Sequence, residues 1–257
     1  MRKLILAKVV FYTCLLFLLP SESSAQIVNI ERYRSNVKDT SDGLSGFVGV
    51  QLGLVQNNNS IKDIDLSGLL NYVRGPFNFL YIGTLEWLQI NDENFLNQGF
   101  HHLRYIHLPY KHFGYESFAQ YQYNPRIRLR SRVLIGGGAT TTLTREKNSL
   151  KGGLGLMWEL NGFESRETRD FRLNSYLSYK HKWDRGSFTL VGYFQPRIDF
   201  IGDLRSTLDT QLSLDVWRGL KYVTSFRLTY DNRIPEDIAP LVYAWTNGLQ
   251  WKFNLTN

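Results

Sequence analysis

Hydrophobic and polar residues alternate at every second position over most of the chain beyond residue 43. Between Leu150 and Leu160, leucine and tryptophan occupy even positions, while Lys151 and Glu159 lie at odd ones. Successive side chains of a β-strand point to opposite sides, so period two is typical of a strand with one apolar face. No helical period of 3.6 stands out beside it. The pattern therefore predicts an all-β fold.

The stripes number about twelve, with a range of 10–14, and run for roughly 9–13 residues each. Globular strands usually have five or six residues, whereas a tilted strand that crosses a bilayer needs about 9–11. Tight turns such as Arg74-Gly75-Pro76 and Trp217-Arg218-Gly219 alternate with longer charged loops, for example 161–170 and 231–240. We therefore predict a transmembrane antiparallel up-and-down β-barrel over residues 44–257.

A soluble sandwich or a lipocalin-like barrel would place the apolar face inside, and two features favour the opposite arrangement. Arg128, Arg130 and Arg132 occupy alternate positions, which would put three charges on one strand face. Tyrosine, tryptophan and phenylalanine are frequent near the ends of the stripes, as in the girdles of membrane barrels. The predicted location is the bacterial cell outer membrane, with the polar face lining a lumen.

The start of the chain resembles an export signal. Basic Met1-Arg2-Lys3 precedes an apolar run over 4–20, and Ser23-Ser24-Ala25 supplies small residues before a cleavage point. We expect residues 1–25 to be a signal peptide cleaved between Ala25 and Gln26. A permanent anchor is the alternative, but the run is shorter than the ~20 residues of a spanning helix. The only cysteine, Cys14, would leave with this segment.

Residues 26–43 separate the predicted signal from the first stripe. The apolar sequence Ile27-Val28-Asn29-Ile30 is followed by a charged stretch. This periplasmic segment is a linker, an extra strand, or a plug that folds into the lumen.

Residues Gly114 to Leu143 read GYESFAQYQYNPRIRLRSRVLIGGGATTTL. This stretch resembles the aromatic and glutamine-rich hairpin, followed by an arginine-to-glycine strand, of the domain of unknown function 481 family. Val28 to Glu31 and Gly43 to Gly46 resemble its Bacteroidetes-type version. The resemblance covers most of the mature chain and implies a YdiY-like, salt-induced outer-membrane protein, with no established activity or site residues. One departure is that Asn254-Leu255-Thr256-Asn257 follows Phe253, whereas such barrels usually end on an aromatic residue.

Charged residues on the polar faces are the candidate lumen residues. They are Arg128, Arg130, Arg132, Glu116, Glu159, Asp209 and Asp215. A charged lumen would select anions or small polar solutes, as charged rings do in pores. Alternatively, the same charges would form a buried salt-bridge network that plugs a narrow barrel, since twelve strands lie between side-chain-filled barrels and wide porins. The expected role is structural or that of a porin-like passive pore.

An outer-membrane lipid or peptide hydrolase is the alternative from another class. With a turn centred near Tyr110, His101 would lie across from Ala119 and diagonal to Ser117, the minimum pair of base and nucleophile. No acidic residue is placed to orient the histidine, so we predict that the protein is not an enzyme.

Other ligand chemistry finds little support in the sequence. His101 and His102 are adjacent and would face opposite sides of a strand, and the HExxH and paired Cys/His spacings are missing, so no metal or cofactor is predicted. The run Gly136–Gly138 lies within a stripe, where glycine bends a strand or makes room for inward neighbours.

The net charge of +7 does not indicate nucleic-acid binding, because the basic residues are spread over strand faces and turns. The expected partners are outer-membrane lipids, lipopolysaccharide, the barrel-insertion machinery and small polar solutes.

Overall fold

The computed structural model describes residues 30, 42–56, 60–90, 94–125, 128–164, 166–232 and 240–255. The predicted signal peptide, its cleavage point at Ala25 and Gln26, and most of the 26–43 segment lie outside these residues. Within the described ranges, no helix is long and apolar enough to span a bilayer.

The described chain forms twelve strands, which confirms the predicted all-β class and strand count. They are β1 (Gly43–Gln56), β2 (Ser60–Arg74), β3 (Phe77–Ile90), β4 (Asn94–His107), β5 (Phe113–Asn124), β6 (Leu129–Arg145), β7 (Asn148–Phe163), β8 (Glu167–Trp183), β9 (Gly186–Pro196), β10 (Leu204–Trp217), β11 (Leu220–Asp231) and β12 (Leu241–Leu255).

The strands close into a barrel in which each pairs with its sequence neighbours in antiparallel fashion. The closing ladder joins β1 to β12, from Leu44 opposite Leu255 to Val50 opposite Leu249. Closure leaves no sheet edge with unpaired amide groups, as the hydrocarbon of a bilayer requires. The predicted up-and-down topology is confirmed.

The two ends of the barrel differ in their connections. At the turn end, where β1 begins and β12 ends, four of the connections have two residues each, and Gly75 (φ 56°) and Gly219 (φ 85°) adopt the left-handed backbone that such turns favour. At the loop end, the connections over 197–203 and 232–240 are longer. The strands have 11–17 residues, more than the predicted 9–13, because pairing continues past the alternating stripes to the turns.

The outward faces form an exposed apolar band. Its middle is aliphatic and includes Ile135, Leu154, Leu156, Leu177 and Leu208. Exposed aromatic residues lie toward both ends: Phe77, Tyr115, Trp183, Trp217 and Trp251 at the turn end, and Tyr121, Phe171, Phe194, Tyr243 and Trp245 at the loop end. This is the arrangement of a surface that meets lipid in its middle and headgroups at its rims.

The inward faces divide into an apolar side and a polar side. On β1–β4 the inward residues include Phe47, Leu69, Leu80, Ile82 and Phe100, which form one buried cluster with Ile30. On β8–β12 they are mainly serine, threonine, glutamine and charged residues. The position of Ile30 places one residue of the predicted 26–43 segment among inward side chains.

Glycines on β6 and β7 make room for large inward side chains. A Cβ atom on Gly153 would overlap the ring of Tyr176, and one on Gly136 would lie 2.6 Å from Cζ of Phe118. Both aromatic rings are buried in the lumen. The structure thus confirms that the run beginning at Gly136 accommodates inward neighbours.

Substituting Gly153 tests this packing. Gly153→Ala is expected to lower the free energy of unfolding by about 1–3 kcal/mol, because Tyr176 must shift within a filled interior. Gly152→Ala is the matched control, since the nearest neighbour of its Cβ atom would be Cγ2 of Thr141 at 3.6 Å, an ordinary van der Waals contact. Urea unfolding in lipid vesicles measures both, and equal effects would contradict the packing role of Gly153.

Candidate functional site

One buried carboxylate organises the charged interior. Glu159 on β7 accepts two hydrogen bonds from Arg205 on β10, Nη1 to Oε2 at 2.9 Å and Nη2 to Oε1 at 2.8 Å. Its oxygens also lie 3.5 Å from Nε of Arg132 and 3.2 Å from Nε of Arg172. Three guanidinium groups from β6, β8 and β10 therefore surround a single carboxylate.

Two aspartates complete this arrangement. Asp231 accepts a hydrogen bond from Nε of Arg205 at 2.9 Å, and Asp203 accepts one from Nη2 of Arg172 at 2.7 Å. We call the six residues the arginine–carboxylate network: Arg132, Arg172, Arg205, Glu159, Asp203 and Asp231. Its three positive and three negative charges balance.

Neutral side chains extend the network. Asn161 accepts a hydrogen bond from Nε of Arg132 at 2.5 Å and donates one from Nδ2 to Glu159 at 2.6 Å. Asn161 and Glu159 lie on β7, and Arg132 lies on the neighbouring strand β6, where it is the ladder partner of Asn161. Buried charges are tolerated when they are paired and hydrogen-bonded, and this geometry meets that condition.

A second ion pair lies deeper toward the turn end. Nη1 of Arg104 is 3.2 Å from Glu116, which also accepts a hydrogen bond from the Tyr176 hydroxyl at 2.9 Å. The Arg104 guanidinium lies 5.7 Å from the ring centroid of Phe118 and 5.6 Å from that of Tyr176, a cation–π arrangement.

The polar wall holds a third pair. Arg227 on β11 donates a hydrogen bond from Nε to Asp209 on β10 at 2.9 Å, and both side chains are buried.

Five of the seven predicted lumen residues occupy inward positions. Arg132, Glu116, Glu159 and Asp209 are buried in the ion pairs described above. Asp215 takes an inward register position near the turn end, where it is partly exposed and lies 2.6 Å from Nζ of Lys221.

Arg128 and Arg130 do not share the inward face with Arg132, so that expectation needs correction. Arg128 precedes β6, has a φ of 54° and is exposed. The ladder register shifts between Leu129 and Ser131, and Leu129 is the residue buried there. Arg130 is exposed and donates a hydrogen bond to the Phe163 carbonyl at 3.0 Å. The irregularity interrupts the alternation on which the prediction depended.

Several interior charges were not selected as candidates from the sequence. Four of them occupy polar positions of regular stripes, where the alternation of the sequence is enough to predict that they point inward. They are Arg172, Arg205, Arg227 and Asp231. Arg104 lies on β4, where alternation is weak, and Asp203 lies in the loop after β9. Periodicity gives no signal for these last two.

One small cavity lies at the level of these charges. It has a volume of about 30 Å³ and lies between the network and the apolar cluster, and its lining includes Ile30, His102, Arg104, Arg132 and Arg205. This volume holds about one or two water molecules.

The predicted hydrolase pair is not assembled. His101 lies opposite Tyr121, and Ser117 lies opposite Tyr105. The expected pairing with Ala119 was wrong because the connection is centred on residue 111, which shifts every partner of β4 by two positions. Nδ1 of His101 instead lies 2.8 Å from the Tyr81 hydroxyl.

Among the residues that the structure covers, there is no group of three His, Cys, Asp or Glu side chains able to hold a metal ion.

Comparisons with known proteins place this barrel among similar folds. A family profile described as "Protein of unknown function, DUF481" matches residues 49–245. A search of curated proteins found no match. The NanC porin structure has a TM-score of 0.51 and 6% identity, over 82% of this chain and all of that one. The translocator domain of the autotransporter NalP from Neisseria meningitidis has a TM-score of 0.46 and 9% identity, over 87% of this chain and 93% of that one. The likeness to NanC shows a shared barrel fold.

Removing the central carboxylate tests the network. Glu159→Gln would leave three buried guanidinium groups around a neutral amide, and the free energy of unfolding is expected to fall by about 3–5 kcal/mol. Asp184→Asn is the control, because Asp184 pairs with Lys147 on an exposed turn, where an ion pair contributes at most about 1 kcal/mol. Denaturant titration of both variants measures the difference, and a loss no larger than the control's would contradict the central role of Glu159.

Proposed function

The chain belongs to the DUF481 family of proteins of unknown function, and we propose that it is an integral protein of the bacterial outer membrane whose lumen is closed. Its role in this proposal is structural, and the charged interior serves as the core of the barrel.

The outer surface supports the membrane location. The band around Leu154, Leu156 and Leu177 is exposed, and it is flanked by aromatic residues at both rims. A continuous apolar surface of this kind would promote aggregation in water but matches the hydrocarbon core of a bilayer. The bacterial outer membrane is the setting in which closed barrels with these girdles occur.

The burial of the arginine–carboxylate network is the observation that carries the proposal of a closed lumen. Glu159, Arg172 and Arg205 are between 0% and 2% exposed. In a conducting pore, charged rings contact water and the passing ion. Here the charges contact one another, so an entering ion would have to break pairs that are already formed.

The apolar side of the lumen supports the same conclusion. Leu80 and Ile82 on β3 are fully buried and pack with Phe47, Phe100 and Ile30. Large apolar side chains on one side of the interior and paired charges on the other leave less room for a water path.

Bilayer recordings test closure. The purified protein in a planar bilayer is expected to give no conductance steps, whereas the double variant Glu159→Ala/Arg205→Ala removes one cation, one anion and much side-chain volume, and is expected to conduct. Lys147→Ala/Asp184→Ala removes the exposed pair at the turn end and should stay silent. Steady steps from the unmodified protein would show a passive pore and overturn the proposal.

We also propose that the barrel has no catalytic activity. Ser117 and His101 are held apart by the β4–β5 register, and the histidine hydrogen-bonds to Tyr81. A lipase assay on the purified protein is expected to give the same background rate before and after Ser117→Ala. Turnover that this substitution abolishes would instead support the hydrolase alternative.

A further inference from the structure

An open groove of about 340 Å³ lies on the outer surface of the barrel at the turn end. We call it the rim groove. Its lining comes from β6, β7, β8 and the β4–β5 connection, and includes His112, Leu143, Arg145, Asn148, Leu150 and Tyr179. The volume falls within the roughly 300–1,000 Å³ of pockets that hold small molecules.

The ladders arrange the lining of the rim groove in two rows. Leu143 lies opposite Leu150, which lies opposite Tyr179, and all three are exposed members of the outer apolar band. Nearer the turns, Arg145 lies opposite Asn148. Residues two positions apart on one strand face are separated by about 7 Å. A polar row therefore lies on the rim side of an apolar row, in the same order as the phosphate and acyl chains of a phospholipid.

Arg145 gives the rim groove a positive charge. Its guanidinium group forms no hydrogen bond or ion pair with the described residues. None of the described residues that line the groove is an aspartate or a glutamate. Glu146 follows in the same turn, where it is exposed and lies outside the lining. The guanidinium group can therefore bind a phosphate oxyanion through two parallel hydrogen bonds.

A second donor beside Arg145 is oriented by its neighbours. Oδ1 of Asn148 accepts a hydrogen bond from the Tyr179 hydroxyl at 2.8 Å and lies 2.9 Å from Nδ1 of His181. These two contacts occupy the oxygen, so the Nδ2 amide of Asn148 is left as a donor. Because Asn148 and Arg145 are ladder partners, their donors can meet at one phosphate group.

We propose that the rim groove binds an anionic phospholipid with a neutral polyol headgroup, of the phosphatidylglycerol class. The phosphate lies between Arg145 and Asn148, and the acyl chains run over Leu143 and Leu150 toward the middle of the apolar band. An ammonium headgroup would meet no carboxylate among the described lining, so a polyol fits better.

The position of the groove favours a phospholipid over lipopolysaccharide. Short connections assign the turn end to the periplasmic side of the membrane, whereas lipopolysaccharide occupies the external leaflet. The inference rests on the proposed outer-membrane location. It does not depend on whether the lumen is closed, because the groove lies on the outside of the barrel wall.

Native mass spectrometry of the full barrel, released from neutral detergent micelles with added lipid, tests the rim groove. With dioleoyl phosphatidylglycerol as the probe, the unmodified protein is expected to show saturable binding of a first lipid. Arg145→Gln removes the charge-assisted hydrogen bonds to phosphate and should weaken that binding by about tenfold or more. Dioleoyl phosphatidylethanolamine should bind more weakly than phosphatidylglycerol, because its ammonium group meets no carboxylate in the described lining.

Arg185→Gln is the matched control, because Arg185 lies on another exposed turn at the same end of the barrel and outside the lining of the groove. Its affinity for phosphatidylglycerol is expected to equal that of the unmodified protein. Arg145 is itself exposed, so its substitution leaves the barrel interior unchanged, and circular dichroism before each titration checks the fold.

Four outcomes would overturn the proposal. The first is the absence of saturable phosphatidylglycerol binding to the unmodified protein. The second is a loss of affinity in Arg145→Gln no greater than that in Arg185→Gln, which would show general charge attraction. The third is tighter binding of phosphatidylethanolamine or lipopolysaccharide than of phosphatidylglycerol. The fourth is a dimer that Arg145→Gln dissociates and that retains no lipid, which would place a second copy of the chain in the groove.

Flotation of membranes from cells that express the protein tests its location separately. A barrel that floats with the outer membrane but does not bind phosphatidylglycerol would overturn the groove and leave the proposed location intact. A barrel that does not float would overturn the location itself.

Discussion

Closure of the backbone ladder is the constraint on which the rest of this structure depends. Hydrocarbon offers no hydrogen-bond partners, so a spanning sheet must pair every strand on both sides. The β1–β12 ladder from Leu44 to Leu255 meets that requirement. Once the sheet is closed, every strand has a lipid face and a lumen face. Alternation in the sequence therefore becomes a separation between an apolar exterior and an interior that must accommodate charge.

The interior accommodates most of its charge by pairing. Glu159 is shared by Arg132, Arg172 and Arg205, and the same arginines reach Asp203 and Asp231. Buried ions in such an arrangement are costly to separate, because removing one partner leaves the others without compensation. The network therefore acts as a polar core, while the cluster around Leu80 and Ile82 fills the opposite side with apolar packing.

The loop-end half of the lumen holds the arginine–carboxylate network. Its guanidinium groups and carboxylates are buried and pair with one another, which is the arrangement expected of a structural core.

The sequence by itself determined the strands, their number and the face on which most side chains lie, because period two is a local property of an extended backbone. Glu159 and Asp209, which occupy polar positions of regular stripes, are buried. The prediction failed where local alternation breaks, as at Leu129, and where a turn shifts by one residue, as between His101 and Ser117. Contacts across the lumen were decided by tertiary structure alone. Arg205 and Glu159 are 46 residues apart, and they meet because closure brings their strands to face one another across the interior.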